Sequence, residues 1–265
     1  MRFTKLTALG NDFILFDNRD SRLTGNEREF YRKICKRRTG VGADGVILLE
    51  QSDEADFKYR HFNSDGSEAG MCGNGARSFA YYLVQKGIST NVLQFEIDSV
   101  IYRAFVEQIS VRIEMPPPRE VLTEMNLDVL KPLEFGGFVD VRVPHLVLFS
   151  SDIQHLNVNE LGKHYRHHQA FPGGTNVNFI QLIDSQTIEI RTFERGVENE
   201  TLACGTGSVS SAIISALKKG MQPPIKVITR GGPLTVDFKE DLKIIYLLGE
   251  AKIVYEGDLS PFFKP

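Results

Sequence analysis

The chain of 265 residues has no tryptophan and only three cysteines, Cys35, Cys72 and Cys204. So odd and sparse a set does not build a disulfide framework. Without a Cys-x-x-Cys or Cys-x-x-His spacing it does not build a structural zinc site either. No apolar run approaches the roughly eighteen residues that a membrane-spanning helix needs. The opening Met1-Arg2-Phe3-Thr4-Lys5-Leu6 lacks the apolar stretch of a signal peptide. There is also no charge excess: 31 basic and 34 acidic side chains leave −3 at neutral pH. That gives neither a basic field for nucleic acid nor an acidic tail. These absences point to a cytoplasmic protein whose partner is a small molecule, not nucleic acid or membrane. What is present is ordinary, with 42% hydrophobic and 25% charged residues. That is too apolar for disorder and enough for a core that needs no staples.

The informative feature is an internal repeat. Cys72-Gly73-Asn74-Gly75-Ala76-Arg77-Ser78 and Cys204-Gly205-Thr206-Gly207-Ser208-Val209-Ser210 share the pattern C-G-x-G-[AS]-x-S at an offset of 132. Each motif opens an apolar segment that ends in Lys-Gly, at Lys86-Gly87 and Lys219-Gly220. Upstream, the strand-like Phe57–Phe62 answers Ile188–Phe193, Val46–Leu49 answers Val177–Ile180, and Phe13–Phe16 answers Leu146–Phe149. Offsets that agree this closely predict the order strand, strand, strand, Cys-Gly turn, helix twice over. The break between the copies is Met115-Pro116-Pro117-Pro118-Arg119, which suits neither a central strand nor a helix interior. Residues 253–265 have no counterpart and are expected to cross back as a strand. The expected organisation is therefore residues 1–115 plus 253–265 carrying Cys72, and residues 116–252 carrying Cys204.

Each cysteine immediately precedes a predicted helix, where unpaired N–H groups and the positive end of the helix dipole lower a thiol pKa. The Gly-x-Gly that follows removes side chains, so an anion can approach the backbone amides. The two helices are apolar nearly all round, which predicts burial inside their own strands. If the halves face each other about a pseudo-two-fold axis, two thiols flank one ligand. A symmetric acid/base pair on opposite faces of a carbon suits inversion of a stereocentre. Amides on the carboxylate would stabilise the carbanion, with no cofactor and no metal.

These residues resemble the diaminopimelate epimerase family over nearly the whole chain. The matching stretches are Leu9-Gly10-Asn11-Asp12-Phe13, Phe62-Asn63-Ser64-Asp65-Gly66-Ser67, Met71 to Arg77, Thr175-Asn176-Val177-Asn178-Phe179, and Phe193-Glu194-Arg195-Gly196 continuing to Leu202 to Gly207. The resemblance implies an α/β fold of the α+β type. It would comprise two pseudo-symmetric halves, each a mostly antiparallel curled sheet around a central helix, with the active site between them. It implies interconversion of LL- and meso-diaminopimelate with Cys72 and Cys204 as acid/bases. Gly73, Asn74, Gly205 and Thr206 would hold the reacting carboxylate. Asn11, Asn63, Asn176, Glu194 and Arg195 would line the ligand site, and His145 and Glu194 would tune the thiols. Two departures stand out. Arg142-Val143-Pro144-His145 replaces the Gly-Asn-Pro-His of many members, and Gly45 stands where some place a polar side chain.

Other motifs are read as bland. Gly40-Val41-Gly42-Ala43-Asp44-Gly45 matches G-x-G-x-x-G, but a basic helix precedes it and a strand follows, the reverse of a dinucleotide site. His164-Tyr165-Arg166-His167-His168 is read as a solvated face, Cys35 as a buried structural thiol, and Asp12, Asp17 and Asp44 as turn residues. Three functions stay open: the epimerase, a racemase of the same architecture on another amino acid, and a binding or dithiol redox protein. The oligomeric state, a homodimer included, is not legible.

Overall fold

Residues 2–17 form a hairpin because two strands, Arg2–Ala8 (β1) and Asn11–Asp17 (β2), are joined by only two residues. Both of these, Leu9 and Gly10, take positive φ, 53° and 80°. That is the geometry in which a two-residue turn matches strand twist. The computed structural model describes residues 1–259. Residues 260–265, the end of the stretch expected to cross back, lie outside the described residues. The chain divides into two compact units, residues 1–114 with residues 249–259, and Met115–Leu248.

In the first unit β2 leads through helix α1 (Arg28–Cys35) to β3 (Gly45–Glu50), which lies parallel to it. The antiparallel β4 (Phe57–Asn63) follows, then the short β5 (Glu68–Ala69) and helix α2 (Gly73–Gln85). Strand β6 (Val92–Ile97) returns parallel to β4, and β7 (Val100–Glu107) and β8 (Ser110–Met115) add antiparallel strands. The strand Lys252–Asp258 pairs antiparallel with β1, in this unit. The second unit repeats the plan. Strands β9 (Glu120–Leu122), β10 (Glu134–Asp140) and β11 (Pro144–Phe149) are antiparallel neighbours. Helix α3 (Val158–Arg166) crosses over to β12 (Asn176–Leu182), parallel to β11. Then come antiparallel β13 (Thr187–Glu194), short β14 (Asn199–Thr201) and helix α4 (Gly205–Lys219). Strand β15 (Ile225–Thr229) lies parallel to β13, followed by antiparallel β16 (Gly232–Phe238) and β17 (Ile245–Glu250). Each unit therefore contains two parallel pairs, and each is bridged by a helix, the connection that parallel strands require.

The two motif helices are the centres of their units. Helix α2 packs against β1, β2, β3, β4 and β7, and α4 against β10, β11, β12, β13, β15 and β16. Burial is continuous along α4 from Gly205 to Ser215 and along α2 from Gly73 to Ala80. Neither helix is simply apolar, because Arg77, Ser78, Ser208, Ser210, Ser211 and Ser215 are buried with the rest. Ser208 and Ser215 satisfy their hydroxyls by donating one turn back, to the carbonyls of Cys204 and Ser211 (2.8 Å each). The other two helices are half-exposed. On α1 the apolar face Phe30, Tyr31, Ile34 and Cys35 is buried, and both Ile34 and Cys35 turn inward. The helix ends at Cys35, so the basic residues Lys36, Arg37 and Arg38 lie beyond it. His164, Tyr165 and Arg166 end α3, with Tyr165 buried and His164 exposed, and His167 and His168 follow the helix.

The β10–β11 connection carries one departure at the cost of strain. Arg142 has φ 75°, the left-handed region that glycine occupies freely and other residues enter at about 1–2 kcal/mol. Glycine's larger unfolded-state entropy offsets about half of that relief. Arg142→Gly is therefore expected to stabilise the protein by about 0.5–1 kcal/mol, read as a rise in denaturation midpoint. A variant less stable than wild type would show that the Arg142 side chain makes compensating contacts.

Candidate active site

In the first unit, Cys72 is the residue that caps α2. Its backbone is extended (φ −119°, ψ 114°), and Sγ accepts the Gly75 N–H at 3.5 Å. Gly75 is obligatory here, since a Cβ would run into the Tyr59 hydroxyl. Asn11 begins β2 and brings its Oδ1 to 3.9 Å from Cys72 Sγ and 3.4 Å from Asn74 Nδ2. Asn74, second residue of α2, is 2% exposed and accepts from the Arg77 guanidinium through Oδ1. Gly73 lies between Cys72 and Asn74 in the open first turn of the helix, where amides have no carbonyl four residues back. Asn63 is the last residue of β4, paired in register with Gly45 and exposed. Its Nδ2 donates to Ser67 Oγ at 3.1 Å. The Gly45 departure has a steric cause, since a Cβ there would lie 2.6 Å from both His61 Nε2 and the Phe62 carbonyl oxygen.

Asp12 and Asp44 are not simple turn residues. Asp12 is inside β2, where Lys5 and Arg37 both pair with it, Arg37 at 2.8 Å. Burial pushes the Asp12 carboxyl up, but hydrogen bonds from Arg37 and Lys5 hold it below the usual carboxylate range. Arg37 also reaches Asp44 at 2.8 Å, and Asp44 accepts from the Asn11 side chain at 2.6 Å. Asp17 fits the expectation better and forms a local pair with Arg19 at 2.6 Å.

In the second unit, Cys204 caps α4 with φ −118° and ψ 114°, the same backbone as Cys72. Gly205 follows in the first turn, and Thr206 places Oγ1 3.6 Å from Cys204 Sγ. Thr206 Oγ1 also lies 2.9 Å from His145 Nε2. His145 is in β11, fully buried, and not in a loop as the preceding proline suggests. Its tautomer follows from its neighbour. Asn178 Nδ2 donates to the Leu146 carbonyl at 3.0 Å, which can only accept, and Asn178 Oδ1 accepts from Thr192 at 3.1 Å. Asn178 therefore presents N–H to His145 Nδ1 at 3.2 Å, and the imidazole proton sits on Nε2. Burial and the Arg195 charge push the His145 pKa down to about 3, so the ring stays neutral. His145 then donates to Thr206, and the Thr206 hydroxyl hydrogen is left for Cys204 Sγ. Gly207 lets this helix start close on Asn178, because a Cβ would meet Asn178 Oδ1 and lie 3.3 Å from Cys204 Sγ.

Glu194 ends β13 and accepts from Thr201 Oγ1 and from the Cys204 thiol. Burial pushes its carboxyl above the usual range, and those two hydrogen bonds oppose the shift. His145 and Glu194, expected to tune the two thiols, both lie on the Cys204 side, one through Thr206 and one directly. Asn176 Oδ1 accepts the Arg195 backbone N–H at 2.7 Å, which fixes the turn after β13. The Arg195 guanidinium rests on the Gly173 carbonyl at 3.1 Å and is otherwise exposed. Asn178 and Arg77 were not singled out from the sequence, and Asp44 was read only as a turn residue; each holds a residue expected in the site.

The family model described as diaminopimelate epimerase matches residues 3–101 and 137–254. A diaminopimelate epimerase of Aquifex aeolicus is 44% identical over 98% of both chains. One of Chlorobaculum tepidum is 40% identical over 96% of this chain and all of its own. Among solved structures, a Bacillus anthracis PhzF-family phenazine biosynthesis protein superposes with TM-score 0.71 at 18% identity, covering 98% and 99% of the two chains. A probable proline racemase from Agrobacterium radiobacter gives 0.68 at 13% identity, covering 98% and 93%. The likenesses to solved structures establish the fold, and the sequence matches establish more: the chain belongs to the diaminopimelate epimerase family and is an isomerase of the epimerase type.

Proposed function

We propose that the protein interconverts LL- and meso-diaminopimelate without a cofactor, serving lysine and cell-wall precursor synthesis in the cytoplasm. The observation that carries the reading is the pair of cysteines capping the two buried central helices with the same backbone conformation. One thiolate removes the Cα proton and the other thiol returns a proton to the opposite face. First-turn amides at Gly73, Asn74, Gly205 and Thr206 bind the reacting carboxylate and take up the charge that develops on it. Arg195, whose guanidinium rests on the Gly173 and Gly174 carbonyls, grips the distal carboxylate. Asn11, Asn63, Asn176 and Glu194 complete the ligand contacts. A second reading, the same chemistry on another amino acid, is favoured by Arg142-Val143, since Val143 offers no side-chain hydrogen bond.

The deciding measurement is proton NMR of LL-diaminopimelate with reduced enzyme in D2O. Loss of the Cα–H signal with appearance of the meso isomer is expected. No exchange by fully reduced protein would overturn the substrate, and a panel of other amino acids under the same conditions would then test the second reading.

A further inference from the structure

Four side chains of the first unit form one hydrogen-bonded line. Arg77 donates to Asn74 Oδ1, Asn74 Nδ2 donates to Asn11 Oδ1 at 3.4 Å, and Asn11 Nδ2 donates to Asp44 Oδ2 at 2.6 Å. Guanidinium can only donate and carboxylate can only accept. An amide can sit either way round, so the two ends of the line decide both amide orientations. Arg77 forces Asn74 to present its oxygen inward and its NH2 outward. Asp44 forces Asn11 to turn its NH2 away and its oxygen toward Asn74 and Cys72 Sγ, 3.9 Å distant.

We infer that Arg77 and Asp44 are paired positioning residues that lock the Asn11 and Asn74 amides and thereby set which form of the Cys72 thiol its surroundings favour. The inference rests on the proposed role of Cys72 as an acid/base.

Arg77 is fully buried, and among the described residues no carboxylate pairs with it and its Nε and Nη1 have no hydrogen-bond partner. A buried cation without a counter-charge is costly, so its retention calls for a role. The ionised group its charge would favour is a Cys72 thiolate, which interacts with it electrostatically. Tyr59 on β4 also interacts with Cys72 and is held neutral by burial. At the opposite end, Asp44 is exposed but fixed. Arg37 reaches it at 2.8 Å, and the Asp12 N–H donates to it at 3.1 Å. The repeat supports a role specific to this half, because Val209 occupies the Arg77 position beside Cys204.

The two ends act with opposite sign. Arg77 favours the thiolate. Asp44 opposes it, through its own charge and by aiming the Asn11 oxygen, an acceptor, at the sulfur. Removing the Asp44 charge favours the thiolate even while the Asn74 NH2 still holds the Asn11 oxygen in place.

The test needs no substrate. In the full chain carrying Cys204→Ser, the remaining thiols are Cys72 and Cys35. Cys35 is buried and pushed up to about 12, hence silent toward iodoacetamide. Alkylation of Cys72 is followed against pH. A one-unit fall in thiol pKa raises thiolate tenfold, which is about threefold in rate after the loss of intrinsic nucleophilicity. Asp44→Asn is expected to speed alkylation at neutral pH by about threefold with a lower titration midpoint, and Arg77→Met to slow it by as much with a higher one. Arg77→Lys, which restores the charge, should return the midpoint toward wild type. Loosened packing would instead expose the thiol and speed both variants. A common direction, or midpoints that stay at the wild-type value, overturns the inference. If Arg77→Met does not fold, Asp44→Asn, an exposed site, decides alone. Because no substrate enters, these outcomes stand whether or not diaminopimelate is the ligand.

Discussion

Cys72→Ser and Cys204→Ser are each expected to lower epimerisation by about 10²–10⁴-fold, the usual worth of a positioned acid or base. A serine hydroxyl has the shape of the thiol but a pKa far above neutrality, so it neither takes a Cα proton nor gives one at a useful rate. The two variants should differ in what they retain. With one thiol left, proton exchange continues only on the isomer whose Cα–H faces that thiol, and deuterium enters with retention of configuration. LL- and meso-diaminopimelate supplied separately in D2O would therefore show opposite residual exchange in the two variants. Exchange from both isomers at equal rates in either variant would overturn the one-thiol-per-face assignment. So would a variant that keeps a tenth or more of wild-type epimerisation. Cys35 is the internal control. It lies in an apolar cluster with Ile34, Phe30 and Ala43, so Cys35→Ala should leave the rate unchanged and lower stability only.

The equivalence of the two thiols stops at the backbone. Cys72 and Cys204 cap their helices alike, yet Cys72 has an asparagine oxygen beside it and feels the charge of buried Arg77, and Cys204 faces a carboxyl and a histidine-backed hydroxyl. This was only partly legible in the sequence. Repetition at a fixed offset exposed the strands, the central helices and both cysteines, because packing a strand or a helix start constrains residue type locally. The contacts that distinguish the halves come from residues distant along the chain. Asn178 reads as one polar residue in an apolar strand, opposite Ile47 in the other copy, and only the fold brings it to His145. Arg77 reads as a helix residue like any other. The signal that could have found it is its replacement by Val209 in the second copy, a loss of charge at a buried position. Asp44 sits in a glycine-rich loop where a carboxylate is ordinary, and its bond to Asn11 spans 33 residues.

The same burial that keeps two histidines neutral should make the protein acid-labile well above the carboxylate range. His61 is pushed down to about 4 by burial among Phe13, Tyr59 and its own strand, and His145 to about 3. Both folded values lie below the unfolded value of 6.5. Above that value neither state binds the proton and stability is unaffected. As pH falls below it, the unfolded chain takes up protons that the folded chain refuses, and stability drops until the folded values are reached. Each group contributes about 1.4 kcal/mol per pH unit, so the pair removes about 5 kcal/mol between pH 6.5 and about 4.5. That is comparable to the whole stability of a small domain. Glu194 works the other way, since its raised carboxyl binds a proton in the folded state first and recovers part of the loss. Asp12 and the other lowered carboxylates begin to matter only below their ordinary values, so in this window the histidines are opposed only by the raised carboxyls of Glu194 and Asp98. Denaturant unfolding at pH steps from about 7 to 4.5 should show this fall. His61→Phe and His145→Gln should each remove about half of the slope, the first in the unit of residues 1–114 and the second in Met115–Leu248. A flat profile down to about pH 5 would mean that both imidazoles take up protons inside the folded protein, and His145 could then no longer be the fixed neutral donor to Thr206.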